Sequence, residues 1–227
     1  MTGVQTCALP IWLTSQLAHE LNNPIYGIMN TLELLKSEVP PENKRRKLLD
    51  MSLSETVRLA DMLRKMLSFS KPEQEERTPT DVNRLLDELI LLHEKQLQEH
   101  DIKVDFQPAD ELEPVVASPN QLRQVFLNMI ANARDAMAEG GTLSIATRQS
   151  DSEIRIKIAD TGPGIRQENM DKIFDSFFTT KESIKGVGLG LSVCYGFIRD
   201  HGGDIHVDNQ ADGGAVFTIT LPLTPTQ

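Results

Sequence analysis

D-T-G-P-G-I (Asp160–Ile165), I-F-D-S-F-F-T-T-K (Ile173–Lys181) and K-G-V-G-L-G-L-S (Lys185–Ser192) form the stretch on which the fold turns. Two glycine clusters bracket a polar segment, and the second opens a predicted helix at Leu189–Asp200. Glycine lets backbone N–H groups approach a phosphate closely, and a helix N-terminus adds a favourable dipole. The spacing matches neither Gly-x-x-x-x-Gly-Lys-Ser/Thr nor a dinucleotide fingerprint. Other elements must therefore complete a nucleotide site.

Immediately upstream, Ile154, Ile156 and Ile158 alternate as in a half-buried strand that runs into Asp160. A carboxylate at a strand end, followed by a tight turn, accepts a hydrogen bond from an exocyclic amine, which makes Asp160 the candidate adenine reader. Further upstream, Ser118-Pro119-Asn120-Gln121 is a capping box with proline at the first helical position. Its helix carries a core face of Leu122, Val125, Phe126, Met129, Ile130 and Met137. Asn128, Asn132 and Asp135 share another face, and half-buried amides there need partners. A hydrated Mg²⁺ with phosphates satisfies them.

The remaining pattern supplies a helix from Thr80 or Asp81 through Leu97 and strands at Ile102–Phe106, Val115–Ala117 and Leu143–Ile145. Closing strands follow at Ile205–Val207 and Ala215–Leu221. Helices mixed with a partly antiparallel sheet predict an α/β two-layer sandwich over residues 81–223. Residues 71–80, K-P-E-Q-E-E-R-T-P-T, have no apolar side chain and read as a linker.

Ahead of the linker, residues 12–70 read as a helical hairpin broken at Pro40-Pro41. Leu17, Leu21, Ile25, Ile28, Leu32 and Leu35 form a heptad-like stripe on its first helix. The second helix has two stripes, one with Leu48, Met51, Leu59, Met62, Met66 and Phe69, the other with Leu49, Leu53, Ala60, Leu63 and Leu67. One hairpin buries one stripe, so the second predicts a homodimeric four-helix bundle. The fold class is thus α+β, a helical hairpin followed by the sandwich.

A net charge of −10 excludes nucleic acid and anionic membrane surfaces as partners, and no apolar run reaches bilayer-spanning length. Two cysteines, Cys7 and Cys194, give neither a disulfide framework nor metal spacing, so a cytoplasmic setting is expected. Residues 1–11, M-T-G-V-Q-T-C-A-L-P-I, are similar to the translation of a short-read sequencing adapter and are set aside as non-native. Any membrane tether would then lie in a region upstream of this sequence.

Q-L-A-H-E-L-N-N-P-I (Gln16–Ile25) resembles the phosphoacceptor box of sensor histidine kinases. N-x-x-x-N-A-x-D-A, D-x-G-x-G, F-F-T-T-K and G-x-G-L-G-L-S look like the ATP-binding domain shared by gyrase, a heat-shock chaperone, a mismatch-repair ATPase and histidine kinases. The resemblance covers residues 13–223 and implies an ATP-dependent autokinase. By it, His19 is the phosphoacceptor, Glu20 its base or orienting group, and Asn23 the residue that orients water in dephosphorylation. Asn128 and Asn132 match the Mg²⁺ and phosphate positions, and Asp135 lines the pocket. Asp160 matches the adenine carboxylate above a turn shaped by Gly162 and Gly164, and Thr180 and Lys181 match lid residues. Gly186, Gly188, Gly190, Leu191 and Ser192 match the second glycine box, and Gly213 and Gly214 the last. The partner it implies is a response-regulator receiver domain.

Water-hydrolysing relatives carry a glutamate where this chain has Asn128, which cannot act as a general base. ATP is therefore expected to wait for His19. Rival readings are a serine kinase acting on a partner protein and a catalytically silent signalling dimer. The segment Ile165–Lys185 is expected to close over the nucleotide and to be the most mobile part of the domain.

Overall fold

The computed structural model describes the backbone of residues 11–68, 76–180 and 188–223, with side chains within those spans except at 11–23, 58 and 61–68. The chain divides into two compact units, Met1–Gln74 and Glu75–Gln227.

The first unit is a hairpin of α1 (Ile11–Glu38) and α2 (Lys44–Ser68). α1 runs on through Pro24, which removes one intrahelical hydrogen bond without ending the helix. The turn is closed by Arg46, whose guanidinium donates to the carbonyls of Val39, at 2.6 Å, and Lys36. Lys36 also pairs with Asp50 at 2.7 Å and holds its carboxyl below the usual range.

Within the hairpin Ile25, Met29 and Leu32 are half-buried on α1, as are Leu49 and Leu53 on α2, and Thr56 and Ala60 are buried. The other stripe of α2, Leu48, Met51 and Leu59, is 53–64% exposed. The two stripes of α2 therefore have different fates up to Ala60, while Met62, Leu63, Met66, Leu67 and Phe69 lie outside the described side chains. The single stripe expected on α1 splits: Ile28 and Leu35 are exposed while Ile25 and Leu32 face α2. Positions three apart on an α-helix diverge by about 60° from one another, enough to separate two seams.

The second unit contains β1 (Thr78–Thr80), α3 (Val82–Gln98), β2 (Ile102–Gln107), β3 (Val115–Ala117), α4 (Pro119–Ala136), β4 (Gly141–Gln149) and β5 (Glu153–Asp160). A 3₁₀ turn (Gln167–Lys172), α5 (Gly190–Asp200), β6 (Asp204–Asn209) and β7 (Ala215–Pro222) complete it. The main sheet has the order β2-β4-β5-β7-β6, parallel between β2 and β4 and antiparallel elsewhere. Register aligns apolar residues in rows, so Phe106, Ile145, Ile158, Phe217 and Val207 cross the sheet side by side.

Alternation along β5 buries Ile154, Ile156 and Ile158 and exposes Arg155 and Lys157. The buried face is covered by α3 over β2, α4 over β4 and β5, and α5 over β6 and β7, which makes the unit a two-layer sandwich. One expectation is corrected. Thr78–Thr80, assigned to the linker, form β1 and pair with β3. Pro79 is tolerated because β1 has only this one neighbour and asks for no donor on its open side.

Side chains fix the helix starts as the sequence implies: Asp81 accepts from the Arg84 N–H at 3.0 Å and Ser118 from the Gln121 N–H at 3.2 Å. α4 and α5 then run past each other in opposite directions, tied at both ends. At one end the Asn128 amide donates to the Gly190 carbonyl at 3.3 Å. At the other, the backbone N–H of Ser118 donates to Nε2 of His201 at 2.9 Å. Because Nε2 accepts, Nδ1 carries the proton and donates to the Phe197 carbonyl at 2.6 Å. Arg77 donates to the carbonyl of Asp200 at 2.6 Å and secures the same corner.

His201 is 5% exposed, and burial depresses its pKa below the ordinary 6.5, with the Phe197 carbonyl opposing and Arg77 adding to the effect. A depressed folded pKa means that the unfolded chain takes the proton first. Stability from this group is complete above the ordinary value and is lost as pH falls through the folded one. Denaturation at about pH 7.5 and about pH 5.5 should show a smaller acid loss in His201→Gln than in the parent, with a cost of about 1–3 kcal/mol at the higher pH.

Candidate nucleotide and phosphoacceptor sites

β5 ends at Asp160, a residue only 5% exposed. Its Oδ1 accepts from the N–H of Gly162 at 2.9 Å and of Ala215 at 3.4 Å. Burial raises its pKa, and these two N–H groups partly oppose the rise. Oδ2 has no hydrogen-bond partner among the described residues. The neighbouring Thr161 hydroxyl accepts from the Thr142 N–H at 2.9 Å and donates to the Met137 sulfur at 3.6 Å. These bonds lock the start of the turn onto β4 and the end of α4.

The glycines are where backbones meet. A Cβ on Gly214 would lie 1.9 Å from the Asp160 carbonyl oxygen. Gly188 has φ of +71°, and a Cβ there would lie 2.5 Å from backbone atoms of Phe177 and Phe178. Its carbonyl accepts from the Phe177 N–H at 2.9 Å, which joins the Phe box to the second glycine box. Gly162 packs on the last turn of α4 at Ala136, and Gly164 faces Asn209.

On α4, Asn128 is half-buried with both ends of its amide engaged. Nδ2 donates to the Gly190 carbonyl and to the Cys194 sulfur at 3.5 Å, and Oδ1 accepts from Gln124 at 3.1 Å. Asn132, one turn on, is half-buried with no hydrogen bond among the described residues. Asp135 is exposed and paired with Arg134 at 2.8 Å. Mg²⁺ keeps several waters and takes few protein oxygens beside substrate phosphates. An amide oxygen such as that of Asn132 fits this demand, and no cluster of acidic or sulfur ligands occurs among the described residues.

Among the described residues no side chain caps α5, and a helix N-terminus favours an anion. Leu191 packs against the core, and buried Ser192 donates to the Leu189 carbonyl at 3.0 Å, so both support the helix start. Cys194 is fully buried, and burial pushes its thiol up to about 12, so it is no nucleophile. Thr180 is exposed, while Lys181 and Gly186 lie outside the described residues. Within Ile165–Lys185, the described part holds the 3₁₀ turn, buries Ile173 and leaves Phe177 61% exposed. His19, Glu20 and Asn23 lie on α1, with side chains outside the described residues.

Two residues that sequence reasoning missed close the turn. Gln210 donates to the Asp160 carbonyl at 2.8 Å, and Asn209 bonds both backbone groups of Ile165. Only a glycine-containing turn after an alternating strand signalled them, and their partners lie 44 and 50 positions away.

Residues 117–225 match the family of histidine kinase-, DNA gyrase B- and HSP90-like ATPases, and residues 13–75 match the His kinase A phosphoacceptor domain. The sensor histidine kinase ZraS of Escherichia coli (strain K12) is 31% identical over 95% of this chain and 46% of its own. The chain spans half or less of the length of the first curated relatives it matches. Among solved structures, the catalytic domain of histidine kinase ThkA is 34% identical with a TM-score of 0.62, over 66% of this chain and 97% of that one. ThkA in complex with the response regulator protein TrrA is 31% identical with a TM-score of 0.68, over 94% of this chain and 61% of that one.

The glycine contacts predict a contrast. Gly188→Ala should cost more than about 2 kcal/mol, because backbone must move to admit the Cβ. Gly190→Ala, whose Cβ meets only Asn128 at 3.8 Å, should change stability by less than about 1 kcal/mol. Chemical denaturation of both variants checks this, and equal costs would contradict the close approach.

Proposed function

The chain belongs to the histidine kinase family, and from that premise we propose that it is the dimerising catalytic core of a sensor histidine kinase. It transfers the γ-phosphoryl group of ATP to its own His19, then passes it to an aspartate of a response-regulator receiver domain. Asn23 serves the reverse, phosphatase direction. In this reading the protein works in the cytoplasm. Among the described residues, no helix is long and apolar enough to cross a membrane.

The observation that carries this reading is Asn128. It occupies the place of a water-activating glutamate, has no basic oxygen, and is held by Gly190 and Cys194. With no base for water at that position, a phosphoacceptor histidine on the same chain is the available nucleophile. ThkA's complex with a response regulator and the sensor-kinase relatives support the same direction of transfer, against a serine kinase or a silent dimer.

Chemically, a neutral imidazole nitrogen of His19 forms the new N–P bond as the γ-phosphorus to β-oxygen bond breaks and ADP leaves. Glu20 orients the ring and takes its proton. Asp160 accepts the adenine amine, and Asp135 lines the pocket. Gly186, Gly188 and Gly190, with the first N–H groups of α5, receive the phosphates together with Thr180 and Lys181. Asn132, with Asn128 beside it, would hold Mg²⁺, which would supply charge neutralisation on the phosphates. The exposed seam of Ile28, Leu35, Leu48, Met51 and Leu59 supports a second copy as its cover, completing a four-helix bundle.

Incubation with γ-labelled ATP should give an acid-labile, base-stable label on the chain, absent in His19→Gln and transferable to a receiver domain. An acid-stable label, or one that survives His19→Gln, would refute the assignment.

A further inference from the structure

The base end of the nucleotide site is where a sheet ladder stops. β5 and β7 pair only as far as Ala159 and Val216. One residue further, Asp160 and Ala215 no longer pair with each other and keep only their outer strand neighbours, Leu143 and Asn209. The Ala215 N–H goes to the Asp160 carboxylate at 3.4 Å. The carbonyl is met by the side-chain amide of Gln210, with Nε2 at 2.8 Å.

Gln210 is held for this task by its own backbone, whose N–H donates to the Gly214 carbonyl at 2.9 Å and closes the β6–β7 loop. The loop lies so close to Asp160 that only glycine fits at position 214. One residue earlier, Asn209 acts like a short piece of neighbouring strand. Its Oδ1 accepts from the Ile165 N–H at 2.8 Å, and its Nδ2 donates to the Ile165 carbonyl at 2.6 Å. Both ends of the turn Asp160–Ile165 are therefore anchored to adjacent residues of one hairpin.

We infer that Gln210 and Asn209 are positioning residues for base recognition, holding the turn so that the free oxygen of Asp160 is aimed at the exocyclic amine of a 6-aminopurine. The inference rests on the reading of Asp160 as the base acceptor. Neither residue touches the nucleotide; each acts through the backbone that carries the carboxylate. A hydrogen bond weakens steeply with distance and angle, so a carboxylate that drifts loses the amine while the phosphate contacts persist. The residues thus set the preference between a 6-amino and a 6-oxo purine.

Calorimetric titration of the full chain with ADP and with inosine diphosphate, which has no exocyclic amine, separates this from a general structural role. The parent should prefer ADP, and Asp160→Asn should remove the preference. Gln210→Ala should raise the Kd for ADP about tenfold and that for inosine diphosphate less than about twofold. Asn209→Asp, which keeps the acceptor and loses the donor, should shift the ratio in the same direction by a smaller factor. Gln210→Met, of similar length without the amide, replaces Gln210→Ala should the truncation unfold the chain. Equal weakening of both nucleotides by the Gln210 variant, or no change in either, overturns the inference while Asp160→Asn still collapses the ratio. A parent without preference, or an Asp160→Asn protein that keeps it, removes the reading of Asp160 and the inference with it.

Discussion

A carboxylate buried at the end of an interior strand is the constraint around which the second unit is arranged. Desolvating a charge is costly, and hydrogen bonds to one oxygen offset the cost only in part. Asp160 receives two backbone N–H groups on one oxygen and keeps the other clear. Meeting that demand brings together the turn after β5 and the β6–β7 hairpin, with α4 at the back. Gly214 and Gly162 are the places where those backbones come too close for a side chain.

The second dependence is between two helices. α4 brings the amides and α5 the helix start of the proposed phosphate site, which requires that their relative position hold. Two kinds of tie secure it, and both use neutral polar groups. Asn128 bridges to the Gly190 carbonyl at one end, and His201 takes the Ser118 N–H at the other. Neutrality of His201 is essential to its tie, because a protonated ring has no acceptor for that N–H. Asn128 thereby has a mechanical duty in addition to its proposed place beside the phosphates.

The first unit obeys a simpler rule. Its two helices bury one seam against each other and leave a second seam of large apolar residues open. A solvated helix pair would not carry Leu48, Met51 and Leu59 along one line unless something covered them. The division on α2 was readable from spacing, because its stripes are distinct. On α1 a single run of apolar residues hid two seams, since spacings of three and four alternate and only the partner helix shows which positions turn inward.

The strands and helices of the second unit were legible in the sequence because alternation and capping are local signals. Asp81, Ser118 and the isoleucines of β5 stand where their patterns place them. The boxes containing Asn128, Asp160 and Gly188 were legible for the same reason, as short runs of unusual residue types. β1 was not, since Thr-Pro-Thr gains strand character only from β3, more than 30 residues away. Nor were Gln210, Asn209 and His201, which are ordinary polar residues until folding brings distant backbone groups to them. The sequence by itself thus determined which elements form and which chemistry the chain carries. Tertiary structure alone decided which polar groups hold that chemistry in place, because a hydrogen bond across 44 to 83 residues leaves no period or motif along the chain.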